Sequence, residues 1–554
     1  MSIVATSPPA PALRVKPSFE PWAGRFRRPV LVGGITSSIL ALAYLFAPPM
    51  GTDLAAQTAR GDFYAAHGAR LVDFGWYGGT SPLGYSWFAA PANALLGARG
   101  VGALSAVIAS LAFAWLLARF SAPRAALASA AGALVFICNI VSGRTTFALG
   151  LAIGLLALCA LRVYPSERWR LWPGSADNSG STTTALGWDL AAFGLALLAT
   201  GASPVAGVFV AIAGSAAALV GYWRSAVILI AGTVLGMAPF LMLFADGGVQ
   251  LYTEDSMRIA AAACIFTFFL IPGKQPVLRA GALLAGLAVI AAYYLPTALG
   301  SNIMRLPMLF AVPLVLAYAQ LSRPLLTVAS LALIWFQPPL MTFDLHLLGE
   351  RAATRAYYEP LLAELDSKSI TGRVEVVPLS SHWESVYVAG AVPLARGWLR
   401  QLDVQENALF YNGKLNAVTY QQWLAHNGVQ YIALPKRAKV DFRGGRPEAR
   451  LLDENLSYLT LEWESADWRL FAVRSPTGIV QAPATFVSAD AARVRFTTSQ
   501  PGDIHVRVRW SRWLTVRGPA ACVRPGRDWV VVRVDKPGSY ELTSEFSTSQ
   551  PARC

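Results

Sequence analysis

Long apolar runs separated by short polar connectors dominate the first 343 residues. They lie at about 29–47, 100–119, 125–141, 145–162, 187–202, 204–222, 225–244, 258–272, 276–295, 304–321 and 324–341. Several fall short of the ~20 residues that a simple bilayer crossing wants, but the pattern as a whole predicts about eleven transmembrane helices. The connectors hold the charges. With the N-terminus inside, the inner connectors carry Arg119 and Arg124, then Arg162, Arg168 and Arg170, then Arg224, then Lys274 and Arg279, then Arg323. Basic inner connectors are what the positive-inside bias produces. An odd number of spans then puts everything after residue 343 outside the cell.

One connector, residues 48–99, is far longer than the rest. A loop of that length in a compact protein is usually functional or disordered, and the aromatic and glycine content of this one argues against disorder. It is expected to form one wall of a site at the outer membrane surface. If residues 53–67 are helical, Asp53, Gln57, Arg60, Tyr64 and His67 share one polar stripe, as on an amphipathic helix lying on a membrane. Asp53, five residues past Pro48, is the candidate general base toward an acceptor hydroxyl, or a ligand for a divalent cation. The plainer alternative is a helix N-cap, with Thr52 as competitor. Trp76-Tyr77-Gly78-Gly79 and Pro82-Leu83-Gly84-Tyr85 offer aromatic faces that either stack on sugar rings or anchor at the interface.

Beyond Asp344 charges become frequent and the periodicity changes. Glu350–Leu365 reads as a helix, and Val374–Pro378 and Tyr431–Pro435 as strands. After Ile479 period-two runs at Arg493–Thr497, Ile504–Trp510, Trp529–Val534 and Tyr540–Thr543 read as an antiparallel β-sandwich. The expected organisation is therefore a disordered cytoplasmic tail (1–28), a transmembrane domain (29–343), an extracytoplasmic α/β region (344–478) and a β-sandwich (479–554). Within the α/β region His382, Trp383, Glu384 and Arg396 belong to a dense polar and aromatic set, either a binding surface or a packed core with salt bridges.

Composition agrees with the membrane reading: 55% of residues are hydrophobic, 14% charged, and the mean hydropathy is +0.44. The formal charge of +14 does not point to nucleic acid, because the arginines are scattered singly without a basic stripe. At helix starts on the outer side stand Arg144, Arg258 and Arg305, the last in the stretch GSNIMRL with Asn302. Guanidinium forks converging there would suit a phosphate. Cys138, Cys159 and Cys264 fall in apolar runs, whereas Cys522 and Cys554 are placed to pair if their domain faces an oxidising space. No glycine-rich phosphate loop, nucleophile elbow or dinucleotide fingerprint occurs.

The stretches DLAAQTARGDFYAAHG, WYGG, SGRTTFALG, GSNIMRL and HWESVYVAG-x-x-x-LARGWLRQLD give the chain a likeness to GT-C-type membrane glycosyltransferases. In detail it resembles actinobacterial integral membrane proteins of the YfhO-like or pyruvoyl-tetrahydropterin-synthase-related kind. The acidic pair usual in the GT-C type is here a single acid, Asp53. The resemblance implies a multi-pass plasma-membrane enzyme that takes a sugar from a polyprenyl-phosphate donor and delivers it to a cell-envelope glycan, lipid or protein. It implies Asp53 as base, the outer arginines on the lipid phosphate, and the outer domain on the acceptor. The candidate substrate-binding set is then Arg60, His67, Trp76, Tyr77, Arg144, Arg258, Asn302, Arg305, His382, Trp383, Glu384 and Arg396. No motif demands a cofactor; a divalent cation at Asp53 is the one candidate. Two other classes remain in view, a transporter or lipid flippase and a non-catalytic envelope assembly protein. Transporters favour internal repeats and midplane charges, and this chain shows neither.

Overall fold

The computed structural model describes residues 22–161, 182–244, 248–338, 340–342, 344–546 and 554. Tail residues up to 21, and Arg162, Arg168 and Arg170, lie outside the described residues. Each of the eleven apolar runs coincides with a helix: α1 (Trp22–Phe46), α3 (Ala89–Arg119), α4 (Ala125–Val141), α5 (Thr145–Ala160), α6 (Thr182–Ala202), α7 (Pro204–Leu219), α8 (Trp223–Leu243), α9 (Glu254–Leu270), α10 (Pro276–Tyr294), α11 (Arg305–Tyr318) and α12 (Arg323–Phe336). Five of them are long and apolar enough to cross a membrane, and five more are shorter apolar helices. This is the build of a membrane protein. The first helix starts at Trp22, so the last residues of the expected tail are already helical.

The long connector folds as a further helix, α2 (Leu54–His67), followed by an irregular segment. α2 does not lie flat on a lipid surface. Its Leu54, Ala55 and Ala56 are buried, and it packs against α3 on one side and the C-terminal region on the other. α3 begins eleven residues before the run at 100, and a non-helical Gly97 (φ 70°) separates that first portion from the long apolar part.

The α/β region opens with α13 (Arg355–Asp366), β1 (Arg373–Val376), α14 (Glu384–Tyr387) and α15 (Arg400–Glu406). It continues with α16 (Ala417–Asn427), β2 (Val429–Pro435), α17 (Arg446–Leu452), β3 (Leu459–Glu464) and β4 (Trp468–Val473). Its sheet has the order β1-β2-β4-β3, with β1 and β2 parallel and the other pairs antiparallel. The last unit contains β5 (Thr485–Asp490), β6 (Arg493–Thr498), β7 (Gly502–Val506), β8 (Leu514–Arg517), β9 (Ala521–Pro525), β10 (Val530–Val534) and β11 (Gly538–Ser544). These form sheets of order β7-β10-β9 and β5-β6-β11-β8. Val494, Phe496, Ile504, Val506, Val532 and Leu542 fill the space between the two sheets, as the period-two pattern requires. Cys522 in β9 is disulfide-bonded to Cys554.

Residues 71–80 of the long connector fasten these units together. Leu71, Val72 and Phe74 enter the sandwich core. Trp76 Nε1 donates to Ser385 O at 3.1 Å, Tyr77 OH donates to Gly397 O at 2.6 Å, and Arg509 N donates to Gly78 O at 2.8 Å. Trp76 and Tyr77 are 3% and 1% exposed, so neither ring has a face open to a sugar. The density of aromatics in this loop reflects a junction between folded units.

Candidate active site

The carboxylate of Asp53 is fixed by two glycines on facing loops. Gly51 (φ +96°) presses on the backbone of Val141, where a Cβ would come within 2.4 Å of the carbonyl oxygen. Gly143 (φ +84°) presses on Leu54 in return, where a Cβ would lie 2.2 Å from the amide nitrogen. Only glycine permits both the left-handed backbone and this approach. Asp53 N donates to Ser142 O at 3.3 Å, locking the start of α2 against the start of α5. Asp53 occupies the N-cap position of α2, yet its side chain makes no cap hydrogen bond. It turns instead to Arg144, whose Nε lies 3.0 Å from Asp53 Oδ2. Thr52 does not cap either: its N–H and hydroxyl both donate to Asp344 Oδ1, at 2.9 and 3.0 Å.

Two more arginines close on this pair. Arg305 starts α11, is buried, donates to Asn302 Oδ1 at 2.6 Å, and sits over the Phe147 ring at 5.0 Å. It is within electrostatic reach of Arg144, Asp53 and Tyr85. Arg60, two turns into α2, is also buried and lies 4.3 Å above the Tyr85 ring. Burial pushes its pKa down, against the opposing pull of Tyr85, Asp53 and Asp73. Arg60 Nη1, Arg144 Nε and Arg305 Nη1 are buried donors without a hydrogen-bond acceptor. Such groups are costly to leave unmade. The N-termini of α2, α5 and α11 also meet here, and their dipoles favour an anion at the same spot.

Two acids besides Asp53 complete the electrostatics. Asp344 is 3% exposed, and burial raises its pKa to about 6, against the Arg144 charge and the Thr52 N–H. Asp73, held by the Gly75 N–H at 2.8 Å, is raised by burial to about 7. Asp344 thus stands within electrostatic reach of Asp53 although far from it in sequence. A hard divalent cation takes six to eight oxygen ligands. Here Asp53 and Asp344 face guanidinium groups, and among the described residues no three metal-ligating side chains group together. The donor set does not fit such an ion.

An apolar cavity of about 450 Å³ runs through the bundle among α3, α5, α7, α10 and α11. Leu306 and Pro307, the residues directly after Arg305, line it together with Leu151, Phe209, Leu278 and Phe310. It extends to Lys274, at the other end of α10's lead-in.

Of the residues singled out from sequence, Asp53, Arg60, Arg144, Asn302 and Arg305 come together at this place. The others do not. Arg258 is exposed and paired with Glu254 on its own helix at 2.5 Å. His67 ends α2 with its ring against Phe63. His382 is 2% exposed and stacks on Trp398, and Trp383 and Glu384 are buried beside it. Arg396 is sealed in an ionic cluster with Asp403 at 2.6 Å and Glu448 at 3.1 Å. His382, Trp383, Glu384 and Arg396 are thus buried inside the α/β unit.

Sequence reasoning missed Asp344 as a site residue, and it did not assign Tyr85 to the arginines. One signal was available. Asp53, Arg144, Arg305 and Asp344 are each the first charged residue after a run of about twenty uncharged ones. A charge in that setting is expensive and calls for a partner.

No protein-family model matches the chain, and no curated protein matches it in sequence. The narrower likeness to YfhO-like or pterin-synthase-related proteins therefore has no family support. Among solved structures, the mycobacterial arabinofuranosyltransferase AftD is similar at 13% identity and a TM-score of 0.46, over 95% of this chain and 58% of AftD. The chain thus spans less than two thirds of AftD. The archaeal oligosaccharyltransferase AglB from Archaeoglobus fulgidus, in complex with an inhibitory peptide and a dolichol-phosphate, is similar at 11% identity and 0.42, over 75% and 70%. ArnT from Cupriavidus metallidurans, bound to undecaprenyl phosphate, gives 13% and 0.33, over 81% and 98%. The roles given to residues here rest on the chain's own geometry.

Proposed function

We propose that this protein transfers a sugar from a polyprenyl-phosphate donor to a cell-envelope acceptor at the outer face of the plasma membrane. One observation carries the reading. A carboxylate stands among three guanidinium groups with unpaired donors, and an apolar cavity is lined by Leu306 and Pro307 directly after Arg305. A lipid phosphate needs both surroundings at once, cations for its head and an apolar channel for its tail. Guanidinium forks match phosphate oxygens, and a site that already presents them stabilises a leaving phosphate without rearrangement.

In the reaction the acceptor hydroxyl gives its proton to Asp53 as its oxygen bonds to the sugar's anomeric carbon. The bond from that carbon to the phosphate oxygen breaks, and the electron pair stays on the phosphate beside Arg144 and Arg305. The basic connectors at the opposite end of the bundle support an outer location for this site. There no nucleotide sugar is at hand, so a lipid-carried donor is the sensible source. The chain purified in lipid nanodiscs, given a panel of polyprenyl-phosphate sugars and envelope acceptors, should release polyprenyl phosphate with at least one pair. Release with none of the panel, or equal release from Asp53→Asn, would contradict the reading.

A further inference from the structure

The proposed base and the proposed phosphate ligand are in contact with each other. Arg144 Nε lies 3.0 Å from Asp53 Oδ2, yet that N–H is not aligned to form a hydrogen bond with it. Arg144 is otherwise held lightly, by Nη1 donating to Ser142 Oγ at 3.0 Å. Both side chains are partly open, 22% and 31% exposed. Arg305, by contrast, is buried and anchored to Asn302. Arg60, Arg144 and Arg305 share this place with Asp53, Asp344 and Asp73, and each arginine keeps a buried N–H without an acceptor.

Resting on the reading above, we propose that Arg144 is a two-position switch. In the resting protein it neutralises Asp53. The donor's phosphate draws it away, and only then is the carboxylate free to accept the acceptor's proton. Arg305 and Arg60 form the fixed part of the phosphate site, and Arg144 is the part that changes partner. Donor binding thereby arms the base, and a base without donor stays occupied.

The switch makes a prediction opposite in sign to that of a simple binding site. Asp53 competes with phosphate for Arg144, so removing its charge should tighten phosphate binding even as it abolishes turnover. The probe is a polyprenyl monophosphate without sugar, with its Kd measured on the full chain in nanodiscs. Asp53→Asn should bind it about two- to fivefold more tightly, the range expected from breaking one partly exposed ion pair. Arg144→Gln should bind it more weakly. In the Arg144→Gln background, Asp53→Asn should tighten binding clearly less, because the competitor has lost its main object and acts only at longer range on Arg305 and Arg60. Arg144→Lys substitutes if Arg144→Gln does not fold, with the same loss of coupling reduced in size.

Equal tightening in both backgrounds would mean simple charge removal and would overturn the switch. No tightening by Asp53→Asn, or wild-type binding by Arg144→Gln, would overturn it as well. A wild type that binds no polyprenyl phosphate would remove the functional reading itself, a result distinct from all of these.

Discussion

The Asp53 cluster at the end of the bundle and the Arg396 cluster inside the α/β unit use the same two side-chain chemistries, in opposite arrangements. Around Asp53 three guanidinium groups stand beside three carboxyl groups, several of the guanidinium N–H groups have no acceptor, and the central pair is partly open. Around Arg396 carboxylates are in excess. Asp403, Glu448 and Glu375 all face one guanidinium, every member is at most 4% exposed, and both oxygens of Glu375 lack a donor. Burial alone would raise Asp403, but the Arg396 charge and its hydrogen bonds outweigh that and hold it below the usual carboxylate range. Burial pushes Glu375 well up and Glu448 up to about 7. Unmet donors in an open place await a ligand, whereas a sealed, self-neutralised cluster holds a fold together.

The two clusters should therefore fail in different ways. Arg396→Gln leaves Asp403 and Glu448 buried without their cation, which commonly costs about 3–5 kcal/mol. Thermal unfolding of the purified protein should fall steeply, while turnover per folded molecule holds. A stable variant with lost turnover would move the active site into the α/β unit. The second prediction concerns pH. Glu448 and Glu375 bind protons more tightly folded than unfolded, so their contribution is fully present below the unfolded value near 4.5. It is lost as pH rises toward about 7, the folded value of Glu448. Stability measured from pH 5 to 8 should decline, and Glu448→Gln should flatten the decline. A rise over that range would contradict the upward shift of these two acids. The smallest effect belongs to charges outside both clusters. Arg258→Ala and Asp62→Asn remove exposed groups, and surface changes usually stay within about 0.5 kcal/mol. Turnover and unfolding should match wild type in both. A tenfold loss in Arg258→Ala would restore it to the phosphate site.

The contrast also explains what could be read from sequence. Helices were legible because eleven apolar runs leave no other way to satisfy buried backbone groups. The strands β5, β8 and β9 were not among those the pattern marked. The exposed strand β3 (Leu459–Glu464) has no buried alternation to betray it. Asp53, Arg144 and Arg305 stood out because each is an isolated charge in apolar surroundings. Asp344 binds Thr52 across 292 residues of sequence, a contact no local pattern encodes. Trp76, His382 and Arg396 stay ambiguous in sequence because an aromatic, charged stretch looks the same whether it lines a cleft or seals a junction. Only burial separates the two.

The most direct test of the account sets turnover against stability in one variant. Asp53→Asn keeps the shape of the side chain and loses only its charge and basicity, and the carboxylate makes no cap hydrogen bond that α2 needs. With a donor and acceptor pair identified, its turnover should drop on the order of 10²–10⁴-fold, as when a general base is removed, while the unfolding midpoint stays near that of wild type. Turnover within a fewfold of wild type at unchanged stability would show that Asp53 is not the base.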